Sequence, residues 1–440
     1  MTEATEPDGK TLPSRISSLI GDLKPLPAFV AFSPPKIGEG EIKAVTEALT
    51  SGWITTGPRA ETFEKTMAKH LGVAGAVALS SCTAALHLGL KVMGLGPEEA
   101  IVTTPLTFVS TVHAAAYNGS RPFLCDVSAD TGNLDPDKVR AFLETECRPG
   151  PKGYPVHQKT KLPITALVPV HYGGHPVDLE SLWNIAVKYN LGILEDAAHA
   201  LGTELNGLPV GHPDLRPKEA SSLHSMAAYS FYATKNVATG EGGLLTSPDL
   251  ALLARARKLS AYGITDARRI WDRYAPQGTW AYDVDEIGFK ANFTDIQAAL
   301  GMAQMARLPE FLEQRARHAR AWDQAFADLA DLVELPVVRE GAKPSWHLYP
   351  LRLKPGALKI TRDEFIIALK ALNIGTSVMF IPIHYHTCYR NSLGYQEGDL
   401  PVAEDFFARE VSLPVSPAHP PEVIDEAAQL TAKLLRQNAR

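Results

Sequence analysis

The sequence lacks the features of nucleic-acid-binding, membrane and secreted proteins. Its 43 Lys and Arg against 49 Asp and Glu leave a net charge of −6, whereas a nucleic-acid-binding surface must be positive. No apolar run approaches the roughly 20 residues that cross a bilayer. The first residues include Glu3, Glu6 and Asp8 and contain no apolar signal-peptide segment. We therefore expect a cytoplasmic protein without nucleic-acid or membrane partners.

Cysteine is also scarce. The four cysteines, which lack the paired spacing of zinc sites, are Cys82, Cys125, Cys147 and Cys388. We expect them to be reduced thiols that bind no metal. The rest of the composition, 45% hydrophobic and 21% charged over 440 residues, is typical of an enzyme with one large and one smaller domain.

The most informative segment is residues 227–243, in which an apolar strand leads through Lys235 into a glycine-rich turn. Tyr229, Phe231 and Tyr232 precede the lysine and would partly desolvate its amine. Desolvation favours the neutral, nucleophilic form, which can condense with an aldehyde. The alternative is a solvated surface lysine, and this segment alone does not decide between them.

A second segment, residues 191–202, predicts a short buried strand that ends in Glu195 and Asp196. A carboxylate in this position can keep a pyridine nitrogen protonated, as the ring of pyridoxal phosphate requires to act as an electron sink. Adjacent side chains of a strand point to opposite faces, so only one of the two can face a cofactor. We select Asp196. The alternative is an acidic cap of a following helix.

A third segment, residues 74–96, predicts a strand, a Ser-Ser-Cys-Thr turn and a helix. Hydroxyl groups and free backbone N–H groups at a helix start form an anion site. The turn, which contains Cys82 and Thr83, can therefore hold a phosphate. Most helices capped by serine or threonine hold none, so the motif is weak by itself.

Taken in this order, the three segments resemble the DegT-type nucleotide-sugar aminotransferases, a branch of the fold-type I pyridoxal-phosphate enzymes. The resemblance begins near Phe32 and covers nearly all of the remaining chain. Its further motifs are residues 51–58, 104–112, 170–178, 292–299 and 375–386. It implies an α/β protein of the aspartate-aminotransferase-like fold type I.

The resemblance also implies roles for single residues. Lys235 corresponds to the lysine that bonds the cofactor aldehyde, and Asp196 to the partner of the pyridine nitrogen. The other implied cofactor contacts are Cys82, Thr83 and Ser230 to the phosphate, Phe108 to the ring face and His199 beside the ring hydroxyl. For Phe108 the alternative is an ordinary core aromatic, and for His199 a buried structural histidine.

Two motifs depart from the family pattern. Relatives use an asparagine near residue 290 to reach the cofactor phosphate of the partner subunit, and here both Lys290 and Asn292 are candidates. Where the family often has a histidine, this chain has Met379. The expected substrate-binding residues are Trp53, Thr55, Thr56, His384 and His386.

The alternation of strands and helices predicts a large domain at residues 31–320 with a mostly parallel sheet. From about Leu332 the pattern changes to a small α+β domain, which we assign to residues 321–440. Residues 1–30 are polar and interrupted by proline, and we expect a mobile arm. Residues 206–222 and 265–286 are predicted loops.

The resemblance implies transamination of a nucleotide-linked ketosugar, with L-glutamate as the donor and pyridoxal phosphate as the cofactor, in a homodimer with shared active sites. The motif at residues 375–386 favours amination at C4 over C3. One alternative is a sugar dehydratase, in which the family replaces the lysine by histidine, so Lys235 argues against it. Another alternative is a regulatory protein that binds the cofactor without turnover.

Overall fold

The computed structural model describes residues 17–265 and 282–440. A seven-stranded sheet forms the centre of the large domain, in the order β1-β7-β6-β5-β4-β2-β3. In chain order its strands are β1 (Gly75–Leu79), β2 (Ala100–Thr103), β3 (Arg121–Leu124), β4 (Ile164–Val168), β5 (Gly192–Asp196), β6 (Ser225–Ser230) and β7 (Gly243–Ser247).

Only β7 runs against its neighbours. It pairs antiparallel with β1 and with β6, whereas the pairs from β6 to β3 are all parallel. The predicted mostly parallel sheet is therefore confirmed. The sequence analysis missed β7, because its five residues directly follow the glycine-rich turn and continue no helix-strand alternation.

Helices cover both faces of this sheet and build much of the small domain. They are α1 (Glu39–Thr50), α2 (Pro58–Leu71), α3 (Cys82–Val92), α4 (Val109–Tyr117), α5 (Pro136–Thr145), α6 (Leu179–Tyr189), α7 (Leu250–Ser260), α8 (Asp295–Ala325), α9 (Arg362–Ala371), α10 (Thr387–Leu393), α11 (Pro401–Arg409) and α12 (Pro421–Gln437). Successive side chains of each strand point to opposite faces of the sheet. Leu194, for example, packs with α3 and α4, and Ile193 packs with α5 and α6.

Short elements also occur outside the central sheet and the helices. Ladders of two or three residues join Cys147–Pro149 to Pro155–His157, Glu204–Leu205 to Leu208–Pro209 and to Ala342–Lys343, and Ile264–Thr265 to Asp283–Val284. Short 3-10 turns lie at Pro151–Gly153, Tyr172–Gly174, Pro213–Leu215, Lys218–Ala220 and Ile383–Tyr385. Of the predicted loop at residues 265–286, residues 266–281 lie outside the described part of the chain.

The long helix α8 connects the two domains. It starts at a capping box in which Thr294 and Gln297 satisfy each other's backbone N–H groups. Its last turns, at Ala319 and Trp322, are buried in the core of the small domain. That core also includes the antiparallel strands β8 (Val333–Glu334), β9 (Tyr349–Leu353) and β10 (Glu410–Leu413). The expected domain boundary at residue 320 therefore falls inside one continuous helix.

The predicted mobile arm requires a correction. Residues 1–16 lie outside the described part of the chain, but Leu19, Leu26 and Val30 are buried in the small-domain core. Val30 also donates its N–H to the carbonyl of Asn373 at 2.8 Å. Residues 17–30 are thus held by apolar burial and backbone hydrogen bonds, which the polar composition of the segment did not indicate.

All four cysteines are free thiols, of which only Cys388 is exposed. In the described ranges 17–265 and 282–440, no helix combines the length and the apolar character needed to cross a membrane.

Gly243 allows β7 to approach the turn before α3 closely. A Cβ atom at this position would lie 2.3 Å from the carbonyl carbon of Ser81 and 2.4 Å from the backbone nitrogen of Cys82. We therefore predict that Gly243→Ala lowers the free energy of unfolding by about 3 kcal/mol, measured by urea titration.

Gly40→Ala is the matched control, because the added methyl group meets no atom within 4 Å and lies in helix α1, where alanine is favoured over glycine by about 1 kcal/mol. Equal unfolding midpoints for the two variants would contradict the proposed close approach.

Candidate active site

The predicted cofactor residues come from neighbouring strands at one edge of the large sheet. Asp196 ends β5, Ser230 ends β6, and Cys82 follows β1 at the start of α3. These three strands run in the same direction, so their carboxyl ends meet at this edge. Lys235 lies in the turn between β6 and β7 and donates its backbone N–H to the carbonyl of Tyr232 at 2.8 Å.

Lys235 is half-buried, and its amine is removed from bulk water. Burial lowers the pKa of its amine to about 8, although the nearby Cys82 and Asp196 act in the opposite direction. Roughly one amine in ten is then neutral at pH 7. Its Nζ lies 3.3 Å from Nε2 of His347. This geometry excludes the alternative of a freely solvated surface lysine.

Asp196 is buried, and its carboxylate is held at both oxygens. Its Oδ2 accepts from the Thr111 hydroxyl at 2.7 Å, and its Oδ1 accepts from the backbone N–H of Ala198 at 3.1 Å. Burial raises the pKa of Asp196 above its ordinary value, whereas the hydrogen bond from Thr111 acts to lower it. The sequence analysis did not select Thr111, although it lies within the motif at residues 104–112.

Glu195 lies on the opposite face of the sheet, as the strand alternation predicted. Nδ1 of His171 accepts from the backbone N–H of Val177 at 3.2 Å, so its Nε2 carries the proton and donates to the Glu195 carboxylate at 3.0 Å. Glu195 is thereby satisfied in the interior, which leaves Asp196 as the carboxylate beside Lys235.

A candidate anion cradle, formed by residues 81–83, lies at the start of helix α3. The Ser81 side chain caps this helix by accepting from the N–H of Ala84 at 3.1 Å, and the first helical N–H groups, at Cys82 and Thr83, have no partner within the helix. Gly243 aligns with both Leu79 of β1 and Ser230 of β6. Ser230 therefore lies level with the last residue of β1, two residues before Ser81.

His199 and Phe108 contribute rings to the same site. Nδ1 of His199 accepts from the backbone N–H of Gly173 at 3.2 Å, so its Nε2 carries the proton. Burial, together with Lys235, keeps the pKa of His199 well below its ordinary value. Phe108 is 60% exposed, which excludes the core-aromatic alternative. Its ring lies 6.2 Å from that of Phe380.

The predicted residues near positions 53 and 290 form a second, more exposed group. The Thr56 hydroxyl donates to the carbonyl of Phe293 at 2.6 Å and accepts from the Asn292 amide at 2.6 Å. Thr55, Thr56, Lys290 and Asn292 line one cavity of about 740 Å³, and the Trp53 ring is 53% exposed beside them.

The two histidines of the motif at residues 375–386 differ in their surroundings. His384 is fully buried, and its Nε2 lies 2.9 Å from Oε1 of Glu404. The expectation that His384 binds substrate is therefore corrected: this pair attaches the loop to helix α11 instead. His386 is partly exposed and stays a prediction.

The same loop delivers an aromatic ring that the sequence analysis missed. The Met379 N–H donates to Oε2 of Glu410 at 2.9 Å, and the Met379 carbonyl accepts from the Tyr172 hydroxyl. The next residue, Phe380, stacks its ring 5.7 Å from that of His199. Met379, which stands where the family resemblance predicts a histidine, is thus fixed by hydrogen bonds of its backbone N–H and carbonyl groups.

Residues 35–430 match the model of the DegT/DnrJ/EryC1/StrS aminotransferase family. The chain belongs to this family. This aminotransferase is 39% identical to the spore coat polysaccharide biosynthesis protein SpsC of Bacillus subtilis over 93% of its own length and 97% of the relative. It is 34% identical to the UDP-4-amino-4-deoxy-L-arabinose--oxoglutarate aminotransferase of Shewanella sediminis, over 84% and 88% of the two chains.

A solved structure has the same fold. Spr1654 from Streptococcus pneumoniae, in its PMP form, superimposes with a TM-score of 0.80 at 28% identity, over 93% of this chain and 99% of that one. Its PLP form matches with a TM-score of 0.79. The predicted fold type I is confirmed, and pyridoxal phosphate, the cofactor of these aminotransferases, is confirmed with it.

The residues present fit this cofactor. The half-buried amine of Lys235 suits an aldehyde, the Asp196 carboxylate suits a protonated ring nitrogen, and the N–H groups at Cys82 and Thr83 suit a phosphate dianion. The cradle is open only because Gly243 has no side chain: a Cβ there would meet the backbone of residues 81 and 82.

Thr111 offers a test of the carboxylate. We predict that Thr111→Val lowers turnover about tenfold, because Asp196 loses a hydrogen bond that favours its charged form. The pKa of Asp196 then rises further, so the acid limb of the pH–rate profile moves to higher pH.

Thr165→Val is the matched control, since the Thr165 hydroxyl is buried and has no partner among residues 17–265 and 282–440. A Thr111→Val enzyme with the parental pH profile would show that this hydrogen bond does not tune Asp196.

Proposed function

We propose that this sugar aminotransferase converts a ketone on a nucleotide-linked sugar into an amine, with L-glutamate as the amino donor. We further propose that the ketone lies at C4 of a 6-deoxy or similar sugar. The observation that carries the proposal is the half-buried Lys235 amine, with a pKa near 8, at the sheet edge that also presents Asp196 and the anion cradle.

Each of these residues has a task in the reaction. Pyridoxal phosphate, when bound, supplies an aldehyde that exchanges amino groups and a ring that withdraws electrons. The free Lys235 amine moves a proton to and from the carbon that bears the amino group. Asp196 keeps a proton on the ring nitrogen, and Cys82, Thr83 and Ser230 bind the phosphate. The Nε2 proton of His199 is available to a ring oxygen.

Two features support the choice of substrates. The Shewanella relative carries UDP, a 4-amino sugar and oxoglutarate in its name, and oxoglutarate is what L-glutamate becomes when it gives up its amino group. Phe380 lies beside His199 and near Phe108, our proposed contact to the cofactor ring face. Its apolar ring suits the deoxy carbon of a sugar. Trp53, Thr55, Thr56 and His386 remain our proposed contacts to the sugar nucleotide.

We also propose a homodimer in which each subunit completes the other's site. Trp53, Ile54, Tyr262 and Ile287 are large apolar side chains that are between 51% and 88% exposed, as expected of a surface that a second subunit covers.

Lys290 is the better candidate for the donor that crosses to the partner's phosphate. Its amine lies 5.3 Å from the Tyr262 ring centre and, within the described part of the chain, forms no ion pair. The Asn292 amide already donates to Thr56.

The substrate assignment is tested by the absorbance of the bound cofactor. We expect L-glutamate, and not L-alanine or L-aspartate, to change the visible absorbance of the parent protein and release oxoglutarate. A subsequent 4-keto-6-deoxy nucleotide sugar should restore the spectrum, whereas the 3-keto isomer should not. In the Lys235→Arg variant we expect neither the change in absorbance nor the restoration of the spectrum, because arginine keeps its proton.

Restoration by the 3-keto isomer alone would move the proposed amination to C3. Bound cofactor without any response to amino donors would favour a regulatory protein. Transamination by Lys235→Arg would disprove the role of the lysine.

Mixed dimers test the shared site. We predict that Lys235→Ala and Lys290→Ala subunits are each inactive or nearly so as parents, and that hybrids regain activity because one of their two sites carries neither change. Asn292→Ala serves as the comparison: if it complements Lys235→Ala and Lys290→Ala does not, Asn292 is the donor. Purified hybrids without activity, or an active monomer in sedimentation, would contradict the shared site.

A further inference from the structure

The Lys235 amine has one side-chain partner that the reaction described above does not use. Nε2 of His347 lies 3.3 Å from Nζ, and no other side chain of residues 17–265 and 282–440 is hydrogen-bonded to this amine. The imidazole is 3% exposed. His347 comes 112 residues after Lys235, between two hydrophobic neighbours, so no sequence spacing indicated the contact.

The backbone around His347 is held in an unusual conformation. Trp346 has a φ of +49°, a left-handed value that costs a bulky residue about 1–3 kcal/mol. Arg315 is buried, has no acidic partner among residues 17–265 and 282–440, and donates to the carbonyl of Trp346 at 3.1 Å. A conformation that costs free energy and is held by a buried arginine indicates that the position of His347 matters.

The same segment is attached to the elements that carry the cofactor residues. The Ser345 hydroxyl donates to the carbonyl of His199 at 2.8 Å. Asn236, the neighbour of Lys235, donates its amide to the carbonyl of Leu201 at 3.0 Å and more weakly to that of Ser345 at 3.4 Å. His347 and Lys235 are therefore positioned by one shared network.

His347 is neutral in these surroundings. The ionisable groups that face it are Lys235, His199 and Arg315. Burial, together with these basic groups, keeps the pKa of His347 well below its ordinary value. Cys82 and Asp196, which are also near the Lys235 amine, act to raise its pKa. Nδ1 of His347 is buried and has no partner in the described part of the chain. Nε2 is thus the only ring nitrogen with a contact.

We propose that His347 holds the free Lys235 amine by accepting one of its N–H groups at Nε2, and so positions the lysine for proton transfer whenever it is not bonded to the cofactor. Nδ1 then carries the imidazole proton. A lysine side chain has four rotatable bonds and loses considerable entropy when fixed. A fixed acceptor reduces this loss and leaves the lone pair of the neutral amine free.

The inference rests on the proposed role of Lys235, but its test does not depend on turnover. Full-length protein without cofactor is labelled with acetic anhydride between pH 5 and 10, and the modification of Lys235 is followed by peptide mass spectrometry. Lys138, which is exposed on helix α5 and has no role in the proposed site, provides an internal standard in the same samples.

His347→Asn and His347→Gln form the matched pair of variants. The glutamine oxygen reaches the place of Nε2, whereas the shorter asparagine oxygen does not. We expect His347→Asn to lower the pH midpoint of Lys235 labelling by about one unit, because the desolvated ammonium loses its acceptor. We expect kcat to fall about tenfold with KM for the donor nearly unchanged. His347→Gln should keep the parental midpoint and most of kcat.

A second control separates this contact from general disturbance of the segment. His175 is another buried histidine with an unpartnered ring nitrogen, and its ring lies 4.8 Å from that of Trp346. His175→Leu should leave the labelling midpoint unchanged.

An unchanged midpoint in His347→Asn, or equal shifts in His347→Asn and His347→Gln, would overturn the proposal. A parental kcat in His347→Asn would also overturn it. If the asparagine variant does not fold, His347→Leu takes its place with the same expected results.

Discussion

The burial of one ionisable amine beside one buried carboxylate is the constraint on which this site depends. Water would stabilise the charged forms of Lys235 and Asp196. Burial therefore lowers the pKa of Lys235 and raises that of Asp196, which in both cases favours the neutral form. Their mutual attraction acts against these pKa shifts. The result is an amine with a pKa near 8, neutral often enough to react and charged often enough to return a proton.

Hydrogen bonds from several neighbouring elements hold this pair of side chains in place. Thr111 from α4 and the backbone of Ala198 hold Asp196, and Glu195, one residue earlier, is satisfied by His171 on the other face. His347 reaches Lys235 from the segment that leads into β9. The sheet edge that carries Lys235 and Asp196 is therefore completed by a segment that follows the long helix α8. The domain junction and the candidate site share one network of hydrogen bonds.

The exposed surface near Trp53 and Lys290 bears on the proposed dimer. Residues near Trp53 and Lys290 are exposed in the single chain, yet they include aromatic rings and an amine without an acidic partner in the described ranges. Exposed groups of this kind gain free energy from a second subunit that supplies apolar contacts and an anion. Under our proposal, the half of the site built from Asp196 and Lys235 meets such a surface from the neighbouring chain.

The sequence by itself indicated the mostly parallel sheet, through the alternation of strands and helices, and the family, through its resemblance to the DegT-type aminotransferases. It also predicted Lys235, Asp196 and the start of α3 as cofactor residues, and the fold brings these three to one edge of the sheet. It did not reveal His347 or Phe380, which reach the site from more than a hundred residues away in the chain. It misplaced His384, since burial against Glu404 depends on how α11 packs. Tertiary packing alone decided which histidine meets the lysine and which is hidden from it.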